Sequence, residues 1–413
     1  MENGESKTVN DMAEPNSTLS RFHTYIAAGV QVSLARVGAA EYVVPEADRQ
    51  QAWHILSFAL DVPATWPVTR HLLLTLAPKM EQAGFREEWI PYLEKGLHCA
   101  QRASDGQAAA EFELQIGLLY RLLSRFEQAQ RWTTASVDHF AAQRDVHGQA
   151  RALNELAWLE QLQYRYEDAT KHVEQALTLL AAGDPECAMS YRLQGMIAIG
   201  QNHLQKAEAS HRKALIGFTE QHDQRKIAWG LQNIAYTLRE QKKFEEAITL
   251  YQNARGILQA ISDVYHYAFV TLNLGTTYLY FGQPASALAC YHDAQTRFAQ
   301  LHNRLYLAHI QNNVGLCYLA LQQLDQAEKA FKNAITLFEN MAERAWLLNA
   351  MDGLAMTYLA LAQFDQAITI LEAAHAALPE IRETPNYPYL HQSLHQHLQS
   401  AYQGQPLPLG GNG

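Results

Sequence analysis

The sequence predicts an all-α protein, a solenoid of stacked helix hairpins. Three observations predict it. First, one pattern recurs seven times between Ala110 and His375, with its phase marked by Ala129, Ala169, Ala207, Ala247, Ala287, Ala327 and Ala367. Five of the six steps are 40 residues and one is 38. A fixed period of this size is the mark of hairpin repeats that each pack only on their neighbours. Second, each repeat sets a small residue and an aromatic or leucine on one helix, then an alanine pair enclosing a bulky residue on the next. Their i, i+3, i+4 spacing places them on one helical face. Third, 413 residues exceed the usual size of one globular core, and 48% hydrophobic content is ample for continuous burial along a stack.

Residues 1–20 are polar and rich in Asn, Ser and Glu, which predicts a disordered tail. The stretch Tyr25–Val44 is fairly apolar, but Gln31, Ser33 and Arg36 interrupt it and argue against a membrane span. Residues 21–105 form an N-terminal helical region, with helices expected over Pro45–Asp61, Val68–Gln82 and Glu87–Ala103 and with Trp53, Phe58, Trp66 and Trp89 as bulky core anchors. Gly84-Phe85 precedes Arg125-Phe126 by 41 residues, so this region includes a degenerate repeat that caps the array.

Residues 106–383 hold the seven repeats. Their first helices carry the small residues Gly117, Ala157, Gly195, Ala235, Gly275, Gly315 and Ala355, where a larger group would hold the two helices apart. Four residues after each phase alanine stand Thr133, Val173, His211, Tyr251, Tyr291, Phe331 and Leu371. Pro284 opens a second helix, where its missing N–H costs nothing. Tyr389–Tyr402, within 384–402, reads as a capping helix that shields the last core layer, and 403–413 as a flexible tail.

A net charge of -10 and a pI near 6.0, with no dense basic run, argue against direct nucleic-acid binding. Cys99, Cys187, Cys290 and Cys317 are far apart, without a CxxC pair, which suits a reducing compartment. With no signal peptide at the start, the chain is expected to be soluble and cytoplasmic. No phosphate loop, GxSxG elbow or HExxH occurs, so neither an enzyme nor a cofactor is expected. His391, His395 and His397 come nearest to metal spacing and are read as surface residues, and Cys317 as packed and inert.

Gly275-Thr276-Thr277-Tyr278 with Ala287, Tyr291 and Ala294, and Gly315-Leu316-Cys317-Tyr318 with Ala327, Phe331 and Ala334, resemble the tetratricopeptide-repeat signature. The 40-residue step resembles the long-helix subclass of kinesin light chains, spindle adaptors and the sensor arms of bacterial signalling regulators, with about one extra turn per helix. The resemblance implies a right-handed solenoid whose first helices line a concave groove. Two residues before the small residue, three successive repeats place Asn233, Asn273 and Asn313 in that groove, where an amide can match the N–H and C=O of a peptide backbone. Asn154 and Asn312 stand one residue further back, with Arg192 at the same register. Arg151, Arg192 and Arg239 are the carboxylate-binding candidates, and Trp158, Trp229 and Tyr236 the aromatic anchors, with Arg121 near the end of its first helix. The implied role is a non-enzymatic scaffold that binds a protein or peptide segment. A regulatory sensor of a small molecule or signalling peptide, acting on a separate effector, is the alternative. A homodimer is compatible with either.

Overall fold

The computed structural model describes residues 14–40, 44–341, 343–382 and 384–406. Among them are 19 α-helices, two short 3-10 turns and no strand. The expected tails at 1–20 and 403–413 lie mostly outside the described residues, although α1 (Glu14–Ala39) already begins inside the first of them.

The 40-residue period has a simple local origin. Most helices of the array are 17 residues long, as in α5 (Gly106–Leu122) and α6 (Phe126–Ala142), and a three-residue turn follows each. One residue of each turn takes a left-handed conformation. Ser104, Ser124, Arg144 and Tyr164, each 20 residues after the last, have φ between 53° and 61°. That residue reverses the chain so that the next amide closes the helix end: Arg125 N–H donates to the Tyr120 carbonyl at 2.9 Å. The following first helix opens on an acidic or amide cap. Asp105 and Asp145 accept from the backbone N–H of Ala108 and Gly148, and Asp223, Asp263 and Asn303 do the same further on.

The chain divides into two compact units, 1–217 and 218–413. In the first, α1 packs on α2 (Glu46–Ala59) and α3 (Trp66–Gln82), and α4 (Arg86–Arg102) packs on α3 and α5. Trp89 is fully buried there, edge-on to Trp53 and stacked on Tyr92 with ring centroids 5.3 Å apart. Phe58, expected as a core anchor, is instead 45% exposed. Helix α2 buries the face of Ala52, Leu56 and Ala59, and Phe58 stands two residues from Leu56, about 200° around the helix. The hairpin of α5 and α6 follows, then α7 (Val146–Leu162) with α8 (Tyr166–Leu179), and α9 (Cys187–Gly200) with α10 (Leu204–Glu220). The shorter α8 and α9, of 14 residues each, partly offset by the longer link 180–186 between them, account for the 38-residue step.

The second unit stacks α11 (Gln224–Glu240) with α12 (Phe244–Ala260), α13 (Val264–Tyr280) with α14 (Pro284–Gln300), α15 (Arg304–Ala320) with α16 (Leu324–Glu339), and α17 (Arg344–Ala360) with α18 (Phe364–Ala377). Helix α19 (Tyr387–Tyr402) packs on α17 and α18 as the terminal cap. His391 and His395 are exposed on it, but His397 is only 8% exposed and turns inward. This corrects the surface reading of that third histidine.

Small residues hold each hairpin closed in the expected way. A Cβ on Gly275 would come 2.8 Å from the Tyr291 ring, and one on Gly315 would come 2.8 Å from the Phe331 ring. In the first unit the same position, Gly117, would meet Thr133 Oγ1 at 2.3 Å. In each case the partner lies 16 residues later, at the bulky position of the second helix.

Candidate interaction surface

Within each unit the first helices of successive hairpins adjoin: α5, α7 and α9 in one, and α11, α13, α15 and α17 in the other. The candidate residues lie on these helices, and the two units treat them differently.

The first unit is knitted by charge. Arg151, expected to meet a partner's carboxylate, finds one within the chain: its Nη1 and Nη2 donate to Glu111 at 2.7 and 3.0 Å. Burial works to raise the Glu111 carboxyl, but the hydrogen bond and charge of Arg151 hold it below the usual carboxylate range. Asn154 is also engaged, donating to Glu186 at 2.7 Å and accepting from Ser190 at 3.0 Å. Two guanidinium groups lie against Trp158, with Arg121 Cζ 4.4 Å and Arg192 Cζ 4.5 Å from its ring centre. Arg121 is only 8% exposed, and both oxygens of Glu155 accept from it. Thus one indole on α7 joins arginines from α5 and α9. Nothing in the sequence paired Arg121 with Glu155, since they stand 34 residues apart.

The second unit is lined by amides and rings. Asn233 is 9% exposed, and its Nδ2 is closed to solvent without a hydrogen-bond partner. Asn273 and Asn313 are half-buried. The Asn273 side chain makes no hydrogen bond among the described residues, whereas Asn313 Oδ1 lies 3.5 Å from the Asn312 amide nitrogen. Asn312 itself is buried and donates to Asn349 at 3.1 Å. Arg239 stacks over Tyr236, 4.3 Å from the ring, and pairs with Glu240 at 2.8 Å. Burial pushes the Tyr236 hydroxyl above its ordinary pKa.

Trp229 belongs to a ring series that the sequence reading passed over. Its ring is 5.2 Å from His266, Tyr265 is 6.2 Å from Tyr306, and His309 is 4.3 Å from Trp346. Trp229, Phe269 and His309 are spaced by 40, as are His266, Tyr306 and Trp346, so the period itself carried the signal. Trp346 is 39% exposed. Burial lowers the pKa of His309 to about 4, so this ring is neutral at physiological pH.

One family model of the tetratricopeptide repeat matches residues 226–300 and 306–380, and another matches 149–181. The chain carries tetratricopeptide repeats, and such repeats are a protein-interaction fold. No curated protein sequence matches the chain. Among solved structures it is similar to a signal-transduction ATPase with a tetratricopeptide-repeat sensor from Pyrococcus horikoshii, at 14% identity and a TM-score of 0.56, covering 87% of this chain and 55% of that one. A Rap protein complexed with competence and sporulation factor is similar at 13% identity and a TM-score of 0.56, over 92% of this chain and 100% of that one. Aspartyl phosphate phosphatase F from Bacillus subtilis is similar at 14% identity and a TM-score of 0.53, over 99% and 98% respectively. At these identities the likeness is one of fold. No helix among the described residues is long and apolar enough to cross a membrane.

Proposed function

We propose that this chain is a non-enzymatic adaptor that holds a segment of a partner protein against its first-helix face. The observation that carries the reading is the amide row of the second unit. Asn233, Asn273 and Asn313 occupy one register on three adjoining helices, and among the described residues neither the Asn233 amide nitrogen nor the Asn273 side chain is hydrogen-bonded. The half-buried Asn273 amide is open to a peptide backbone, whereas the Asn233 amide nitrogen, closed to solvent, reaches one only if its side chain turns outward; pairing it would then remove a cost of about 1–3 kcal/mol. The rings beside the row, from Trp229 to Trp346, offer apolar contact of the kind that anchors interfaces. The test is affinity capture from extract with wild type and with Asn233→Ala/Asn273→Ala/Asn313→Ala, folding being checked by circular dichroism. Loss of partners from a folded variant supports the reading, and unchanged capture removes the amide row from it.

A second reading, a regulatory sensor, is favoured by the fold likeness to a repeat sensor and to a Rap protein bound to a peptide factor. Its output would need a separate effector. Thermal-shift measurement against small metabolites separates the two, because an adaptor for protein segments gains no stability from them.

A further inference from the structure

Helix α17 opens differently from the first helices before it. At the positions 40 and 80 residues earlier, Asn303 and Asp263 fold their side chains back to accept from a backbone N–H of the first turn. Glu343 holds the same position ahead of α17 and makes no such bond. Its side chain is one methylene longer, and the short acids and amides are the ones that fit an N-cap. Nor does its carboxylate meet another group: among the described residues it has no hydrogen bond and no ion pair. Arg344 beside it is taken by Glu380 at 2.9 Å. Three residues on, at a neighbouring position of the helix surface, stands Trp346, which is 39% exposed. We propose that Glu343 and Trp346 together take a lysine or arginine side chain of the partner segment, its stem laid along the indole and its charge against the carboxylate. The inference rests on the adaptor reading above and names the partner chemistry that the end of the second unit recognises.

The ring is held ready for a cation. Trp346 lies perpendicular to His309 with centroids 4.3 Å apart and nearly parallel to Phe338 at 6.4 Å, so packing fixes its plane. The rings continue through Tyr306 to Tyr265, on α15 and α13, the helices that carry Asn313 and Asn273. An indole is the strongest aromatic partner for a lysine or arginine head, and it gives the aliphatic stem apolar surface to lie on. An acidic side chain would meet an unpaired like charge instead, so the site discriminates by sign. His309 adds no positive charge to compete, since burial lowers its pKa to about 4. The chain as a whole carries a net charge of -10, which draws basic segments towards it.

The test uses the full chain and a random peptide library displayed on phage, followed by synthetic peptides drawn from the retained sequences and measured by fluorescence anisotropy. Each peptide is made as selected and with its lysines and arginines replaced one at a time by norleucine, which keeps an unbranched stem and drops the charge. Glu343→Gln keeps the shape of the side chain without its charge, and Trp346→Leu keeps an apolar group without the ring. Circular dichroism checks that both variants fold. The expected result is retained peptides rich in Lys and Arg, one of which weakens binding to wild type about tenfold when replaced. Each variant should bind the selected peptide about threefold to fivefold more weakly, and replacing that residue should cost less in either variant than in wild type. Glu343→Gln should also bind with a shallower salt dependence. Retained peptides that lack Lys and Arg, bound equally by wild type and both variants, overturn the proposal and leave the adaptor reading standing. So does a norleucine replacement that costs wild type and the two variants the same. If no peptide is retained, the proposal and the adaptor reading fall together.

Discussion

The carboxylate of Asp352 lies 2.6 Å from Nδ1 of His397, across the junction between α17 and the terminal cap α19. Ser393, one turn earlier on the cap, donates to the other Asp352 oxygen at 2.6 Å. Asp352 therefore receives two groups of one helix face, and both it and His397 are more than nine-tenths buried. The register is shared with Asn312, which reaches forward to Asn349, so each inner polar residue here ties its repeat to the next.

Removing one partner of a buried pair leaves the other without compensation. We expect Asp352→Ala to destabilise the second unit by on the order of 3 kcal/mol and Ser393→Ala by about 1 kcal/mol. Urea melts give the totals, and hydrogen exchange should show the loss concentrated in α19. A uniform loss of protection across all helices would mean that the pair does not latch the cap.

Gly353 presents the tightest approach in the second unit. A Cβ there would lie 2.3 Å from the Phe331 ring, which also lies against Gly315 of its own hairpin. Phe331 is fully buried and wedged between two hairpins, so it has little freedom to yield. Gly353→Ala should cost about 1–3 kcal/mol by overpacking, even though alanine is the better helix former. Gly353→Ala combined with Phe331→Leu should recover part of the loss. A stabilised single variant, seen as a higher melting temperature, would contradict this packing.

Asn233 sets stability against binding. Its amide nitrogen is buried and unpaired, so Asn233→Leu, similar in shape and apolar, should leave stability unchanged or raise it by about 1–2 kcal/mol. The same variant should retain less partner in affinity capture. A variant that is both less stable and fully active would show that the amide serves the fold alone.

His309 should make the second unit sensitive to acid. Its pKa is lowered by burial to about 4 from the ordinary 6.5, so the unfolded chain binds the proton more readily than the folded one. Stability is thus unaffected above pH 6.5, falls as the pH drops from there towards 4, and levels off below, a loss of roughly 3 kcal/mol. His309→Phe should flatten the stability curve in that window. A wild-type curve level between pH 6.5 and 4 would remove burial as the dominant influence on this ring.

Much of the fold was legible in the sequence because its contacts are short in chain distance and regular. Gly275 meets Tyr291 and Gly315 meets Phe331 at a fixed interval of 16, and a left-handed turn residue recurs every 20 in stretches such as Ser104 to Tyr164. Packing of this kind repeats with the period, so it leaves a mark in composition. The ring series from Trp229 to Trp346 left the same mark, but with residues of mixed type, and was overlooked.

The partners of polar side chains left no such mark. Arg121 and Glu155 lie 34 residues apart, Asn154 and Glu186 lie 32 apart, and Asp352 and His397 lie 45 apart. A long side chain on a helix can reach several neighbours, and which one it takes depends on how closely the adjoining helices sit and what else faces them. The sequence by itself determined the repeat length, the hairpins and the residues that hold them closed, since hydrophobic burial reads only size and period. Only the tertiary structure decided that Arg151 is satisfied within the chain, that Asn233 is not, and that two arginines share Trp158, because hydrogen bonds are directional and depend on ångström-scale placement across helices.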